Sequence, residues 1–112
     1  MLTKEELPAC PVATTVQLIG NKWKLLILRN LLAGTQRFSE LRKTIPGISQ
    51  KVLTENLRSM EEDGIITRRV FAEVPPRVEY SLSNLGETIR PIIKEMENWG
   101  TNYKETFAEN SK

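Results

Sequence analysis

The sequence contains no histidine and one cysteine, Cys10, in its 112 residues. Without histidine, Ser-His-Asp and Cys-His catalysis are excluded, and no thiolate–imidazole metal site can be assembled. Carboxylates are plentiful, but no pair stands in an apolar surround that would tune one of them as an acid. An enzyme is therefore not expected, nor is a metal or cofactor. A lone cysteine cannot close an internal disulfide, which suits a reducing compartment. No uncharged apolar run approaches the roughly 18 residues of a membrane span, and the opening MLTKEELPAC lacks the apolar core of a secretory signal. These absences predict a cytoplasmic protein without a membrane partner.

The chain reads as one domain over 1–112, long enough to bury about two-thirds of its unfolded surface. Its net charge is +2, unevenly spread. Between Pro11 and Asn84 eleven Lys and Arg stand against seven Asp and Glu. From Leu7 to Ser39 there are Lys22, Lys24, Arg29 and Arg37 and no acid. That asymmetry points weakly to a polyanion, with a solvated surface as the plain alternative.

Pro11 to Ile19 reads as a short helix, opened by Cys10 before a first-turn proline and closed by Gly20. KWKLLILRNLLAG (22–34) is apolar nearly all round and should be a central helix ended by Gly34. RFSELRKTIPG offers Ser39 as a cap, Leu41 and Ile45 facing inward, and a turn at Pro46-Gly47. In GISQKVLTENLRSMEEDG (47–64), Leu53, Leu57 and Met60 form the stripe that a helix lays against a core. Ser49 is its N-cap and Gly64 its stop. The opposite side carries Lys51, Thr54, Glu55 and Arg58, with Gln50 near the start.

After Gly64 the period changes from 3.6 to 2. In IITRRVFAE, Ile66, Val70 and Ala72 share one face with Arg68. VPPR is a turn, and VEYSLS returns with Val78, Tyr80 and Leu82 on one face, giving a two-stranded hairpin over about 65–82. Ser83 then caps a last helix over about 84–107. Its residues Leu85, Ile89, Ile92, Met96, Trp99 and Tyr103 step by a 3.5-residue period, the pattern of helix-to-helix packing. Pro91 should kink or restart that helix near Thr88.

The order helix, helix, turn, helix, hairpin, with an extra helix at each end, is that of a winged helix-turn-helix: mainly α with a small β-hairpin. In such a motif the second helix enters the major groove N-terminus first. Arg77, at the wing tip, would then meet phosphate. The acids Glu61, Glu62 and Asp63 crowd a helix C-terminus, where the macrodipole disfavours them, and N-first insertion would set them farthest from the phosphates.

Three blocks carry a family resemblance: CPVATTVQLIGNKWKLLILRNLL, RFSELRKTIPGISQKVLTENLRSMEEDGII and VPPRVEYSLSNLG. In order and spacing, from about Cys10 to Trp99, they resemble the HxlR-type bacterial transcriptional regulators. The resemblance implies a cytoplasmic, homodimeric, winged-helix DNA-binding regulator that dimerises through its first and last helices. It places the recognition helix over 49–63. It also implies that a cysteine at the position of Cys10 senses electrophiles or oxidants in several members.

The expected function is sequence-specific binding of double-stranded DNA at an inverted-repeat operator, as a repressor rather than an activator. Lys51 and Arg58 can donate to guanine or phosphate, Gln50 and Thr54 can read base edges, and Ser49 with the helix N-terminal amides suits a phosphate. Glu55 pairing with Lys51 at i+4 is the purely structural alternative for both. The dimer seam is expected at Ile92, Met96, Trp99 and Tyr103, with Trp99 packing inside its own subunit as the alternative. Pro11 biases Cys10 toward the extended backbone of an N-cap, which sets its thiol by a helix N-terminus, where a small oxidant or electrophile would find a reactive thiolate. Against this stands a small buried hydrophobe. The rivals from other classes are a winged-helix protein-interaction module and a thiol enzyme built on Cys10.

Overall fold

A computed structural model describes residues 3–108, so residues 1–2 and 109–112 of the expected domain lie outside the described residues. After a short 3-10 turn at Lys4–Glu6 come α1 (Pro11–Ile19), α2 (Lys22–Leu32), β1 (Gln36–Arg37), α3 (Phe38–Thr44) and α4 (Gln50–Glu62). Then follow β2 (Ile66–Phe71), β3 (Arg77–Leu82), α5 (Asn84–Glu87) and α6 (Arg90–Tyr103), with a π-helical turn at Lys104–Ala108.

The wing is a three-stranded antiparallel sheet of order β1-β3-β2, not a hairpin alone. The strand that the sequence reading omits is two residues long, pairing Gln36 with Tyr80 and Arg37 with Glu79. The chain passes from it straight into α3. Ser39 is therefore not a cap but the second helical residue, and Arg37 holds the N-cap position, its N–H donating to Glu40 Oε1 at 2.9 Å. β2 and β3 pair from Ile66↔Leu82 to Phe71↔Arg77 across a turn that contains a cis Val74–Pro75 bond.

α2 runs through the centre with Ile27, Leu28 and Leu31 buried. Leu41, Ile45, Ile48 and the α4 stripe Leu53, Leu57 and Met60 close over it, and Ile66, Tyr80 and Ile93 complete the cluster. Each such side chain stabilises the fold by about 1.5–3 kcal/mol relative to exposure. The C-terminal helix restarts near Thr88, as Pro91 leads one to expect: α5 ends at Glu87, and α6 begins at Arg90 with Pro91 in its first turn, where the missing N–H costs nothing. Among the described residues no helix is long and apolar enough to cross a membrane.

Candidate nucleic-acid interface

The sequence fixes α4 at both ends. Ile45-Pro46-Gly47-Ile48 forms a turn in which the Ile48 N–H donates to Ile45 O at 3.4 Å. Gly47 sits at φ +78°, the left-handed conformation that follows proline in a type II turn. Ser49 is then the N-cap: its Oγ accepts from the Val52 N–H at 3.1 Å, leaving its O–H proton free for another acceptor. At the far end Gly64, φ +77°, donates to Glu61 O and Ile65 donates to Met60 O, the paired bonds of a Schellman stop. Laterally, Asn56 Nδ2 donates to Val52 O and its Oδ1 accepts from Asn21 Nδ2 at 3.3 Å. Asn21 also caps α2 through the Lys24 N–H. This asparagine pair bridges α4 to the start of α2, and periodicity alone gives no sign of it.

So held, α4 turns Gln50, Lys51, Glu55 and Arg58 to solvent, with Thr54 half-buried among them, around one shallow open depression. The i+4 pairing of Lys51 with Glu55 does not form: among the described residues neither makes an ion pair. The face is polar, rigidly backed and uncommitted. Of the four cations in the acid-free stretch, Lys24 is not part of any such surface. It is 8% exposed and donates from Nζ to Leu18 O at 3.3 Å, finishing the C-terminus of α1.

The wing departs from expectation. Its tip is Val74, Pro75 and Pro76, without charge, while Arg77 opens β3 behind it. Arg77 stacks on Phe71 at 4.0 Å and reaches Glu73 at 3.3 Å and Glu79 at 3.4 Å, and its Nε toward Glu79 lacks hydrogen-bond alignment. Its charge is thus largely spoken for within the wing. The exposed cations there are Arg68 and Arg69 on β2. Arg68 meets Arg58, Thr54, Glu61 and Tyr80 in a cleft between α4 and the sheet. Arg68 is not among the residues expected from the sequence, where its place on the apolar face of β2 is the sign that marks it.

Two features lie away from this face. Cys10 is exposed at the N-cap of α1, its carbonyl accepting from the Thr14 N–H at 3.0 Å and its thiol making no cap bond. It is not the buried hydrophobe of the plain alternative. On α6, Ile93 points into the core while Ile92, Met96, Trp99 and Tyr103 form an exposed outer stripe. Trp99 stacks on Tyr103 and Tyr103 on Phe107, at 5.5 and 4.7 Å between ring centres.

The model of the HxlR-like helix-turn-helix family matches residues 18–108. The chain belongs to that family. Within it, the chain is similar to the HTH-type transcriptional regulator YdeP of Bacillus subtilis, 47% identical over 103 residues, covering 92% of this chain and 80% of the relative. Among solved structures it resembles the redox regulator HypR. The reduced form gives a TM-score of 0.83 at 41% identity, covering 89% of this chain and 99% of that one. The oxidised form gives 0.79 at 45%, covering 83% and 96%. As an HxlR-like protein, the chain is a transcriptional regulator of the DNA-binding helix-turn-helix type.

Proposed function

We propose that the protein is a homodimeric repressor that reads an inverted-repeat operator in double-stranded DNA and is controlled through Cys10. The observation that carries the reading is the outward face of α4: Ser49, Gln50, Lys51, Thr54 and Arg58 on a helix locked at both ends, with none of the cations neutralised by the protein itself. One chain presents one such helix, and its Cα radius of gyration is 16.0 Å. Operator half-sites lie about 34–36 Å apart, so two copies are needed to read both.

Selection from a random duplex pool is expected to return an inverted repeat, with log affinity falling linearly in log salt. Arg77 must give up Glu73 and Glu79 to take a phosphate, so Arg77→Ala is expected to weaken all duplexes alike by only about two- to threefold. Nanomolar capture of a protein partner with no salt-steep DNA binding would replace this reading with an interaction module.

Cys10 is the reading's control point because it is exposed and is the chain's only thiol. Diamide oxidation takes two electrons and two protons from two thiols. It therefore joins Cys10 either to the second copy's Cys10 or to a small thiol such as glutathione, while a quinone adds directly to the thiolate. Treatment is expected to change operator affinity at least tenfold in the wild type and not at all in Cys10→Ser, whose untreated binding stays the same. Equal responses in the two proteins would remove the sensor and leave the DNA reading standing.

A further inference from the structure

Arg68 shares a strand face with buried Ile66, an unusual place for a guanidinium, and the register sets it directly across from Tyr80. Tyr80 is 8% exposed, its ring part of the core. Its hydroxyl makes no hydrogen bond among the described residues, yet it is not sealed from solvent. Tyr80 lines a cleft of about 280 Å³ that Arg68, Arg58, Thr54 and Glu61 complete. A water takes about 30 Å³ of liquid volume, so a tetrahedral anion fits there with solvent to spare. Neither arginine makes an ion pair among the described residues.

We propose that this cleft is a phosphodiester site, in which Arg58 and Arg68 donate charge-assisted bonds and Tyr80 a neutral third bond to one backbone phosphate per half-site. The proposal rests on the DNA-binding reading and narrows it, because it assigns Arg58 to the backbone rather than to a base edge. Charge selects the ligand class. Glu61, expected from the sequence to stand far from phosphate, lines this cleft instead; two guanidiniums and its carboxylate leave the cleft at +1, which matches the single charge of a diester. A phosphomonoester at −1.5 to −2 would be under-neutralised. The site ties the recognition helix and the wing to the same phosphate and so sets the angle at which α4 enters the groove, a positioning role without sequence content of its own.

The test uses the duplex selected by the full-length protein, with single linkages replaced in turn by neutral methylphosphonates. One linkage per half-site is expected to weaken wild-type binding about tenfold when neutralised, and to have no further effect on Arg68→Ala. That variant is itself expected to lose about tenfold on every duplex and about one unit of log–log salt slope. Tyr80→Phe, which keeps the buried ring, is expected to lose about threefold with an unchanged melting temperature. Glu61→Gln is expected to tighten binding. Salt-steep wild-type binding that Arg68→Ala and Tyr80→Phe leave unaltered would overturn the cleft and spare the DNA reading. So would an Arg58→Ala variant that relaxes one base position at constant slope. Competition by millimolar inorganic phosphate at fixed ionic strength, lost in Arg68→Ala, would overturn the preference for a diester. A wild type with no salt-steep binding to any duplex would remove the DNA reading and the cleft together.

Discussion

Trp99→Asp is expected to sediment as a folded monomer at micromolar concentration and to bind the selected operator at least a hundredfold more weakly than the wild type. The reason is the double-sided character of α6. On one side Ile93, in the first turn, is buried against the chain's own core and anchors the start of the helix, so it stays docked when the outer stripe changes. The outer stripe stands open: Ile92, Met96, Trp99 and Tyr103 are 42, 46, 70 and 51% exposed. Contiguous apolar patches on this scale mark interaction surfaces, and the 3.5-residue period is that of a helix meeting a helix. Aspartate at the most exposed position would bury an unpaired charge in any such contact, which costs several kcal/mol. Circular dichroism establishes that the variant is folded, sedimentation its mass, and fluorescence anisotropy its affinity. A folded Trp99→Asp protein that remains dimeric removes Trp99 from the interface.

Gly86→Ala is expected to lower stability by about 3 kcal/mol, at the upper end of what overpacking costs, and so to lower the melting temperature by more than about 10 °C. A methyl group on Gly86 collides with the backbone oxygen of Ile65 and crowds Leu82 Cδ2 at 3.2 Å. That oxygen cannot yield, because it already accepts from Ser83 N at 3.0 Å and Ser83 Oγ at 2.9 Å. Urea unfolding gives the difference directly. A loss below about 1 kcal/mol would mean that α5 rides away from the strand junction without cost.

Much of this was legible in the chain because local chemistry and packing agree there. Ser49, Gly64 and the Leu53-Leu57-Met60 stripe each specify the same helix, and Pro46-Gly47 specifies the turn before it. Pro91 announces the restart of α6. β1 was not legible, because two residues carry no period and only their register with Tyr80 and Glu79 makes them a strand. The start of α3 was misplaced because Ser39 has the stronger cap chemistry, whereas strand pairing at Arg37 decides where the helix begins. A tally of cations does not show that Lys24 is buried, nor that Arg77, placed by its position in the wing, is paired within the chain. Of the candidate site, the α4 face followed from periodicity, but its link to the wing through Arg68 and Tyr80 needs the cross-strand register.

The Ser83 corner gives the molecule a fulcrum. Ser83 Oγ shares its one proton between Gly64 O at 2.6 Å and Ile65 O at 2.9 Å, so the residues that stop α4 and those that launch the C-terminal segment are pinned at one point. Beyond α5, α6 runs 14 residues, a rod about 21 Å long. A tilt of that rod by a few degrees about the corner displaces its far end by more than an ångström while the corner itself stays still. In the proposed dimer, such a tilt would change the gauge between the two reading heads without altering any contact near the DNA.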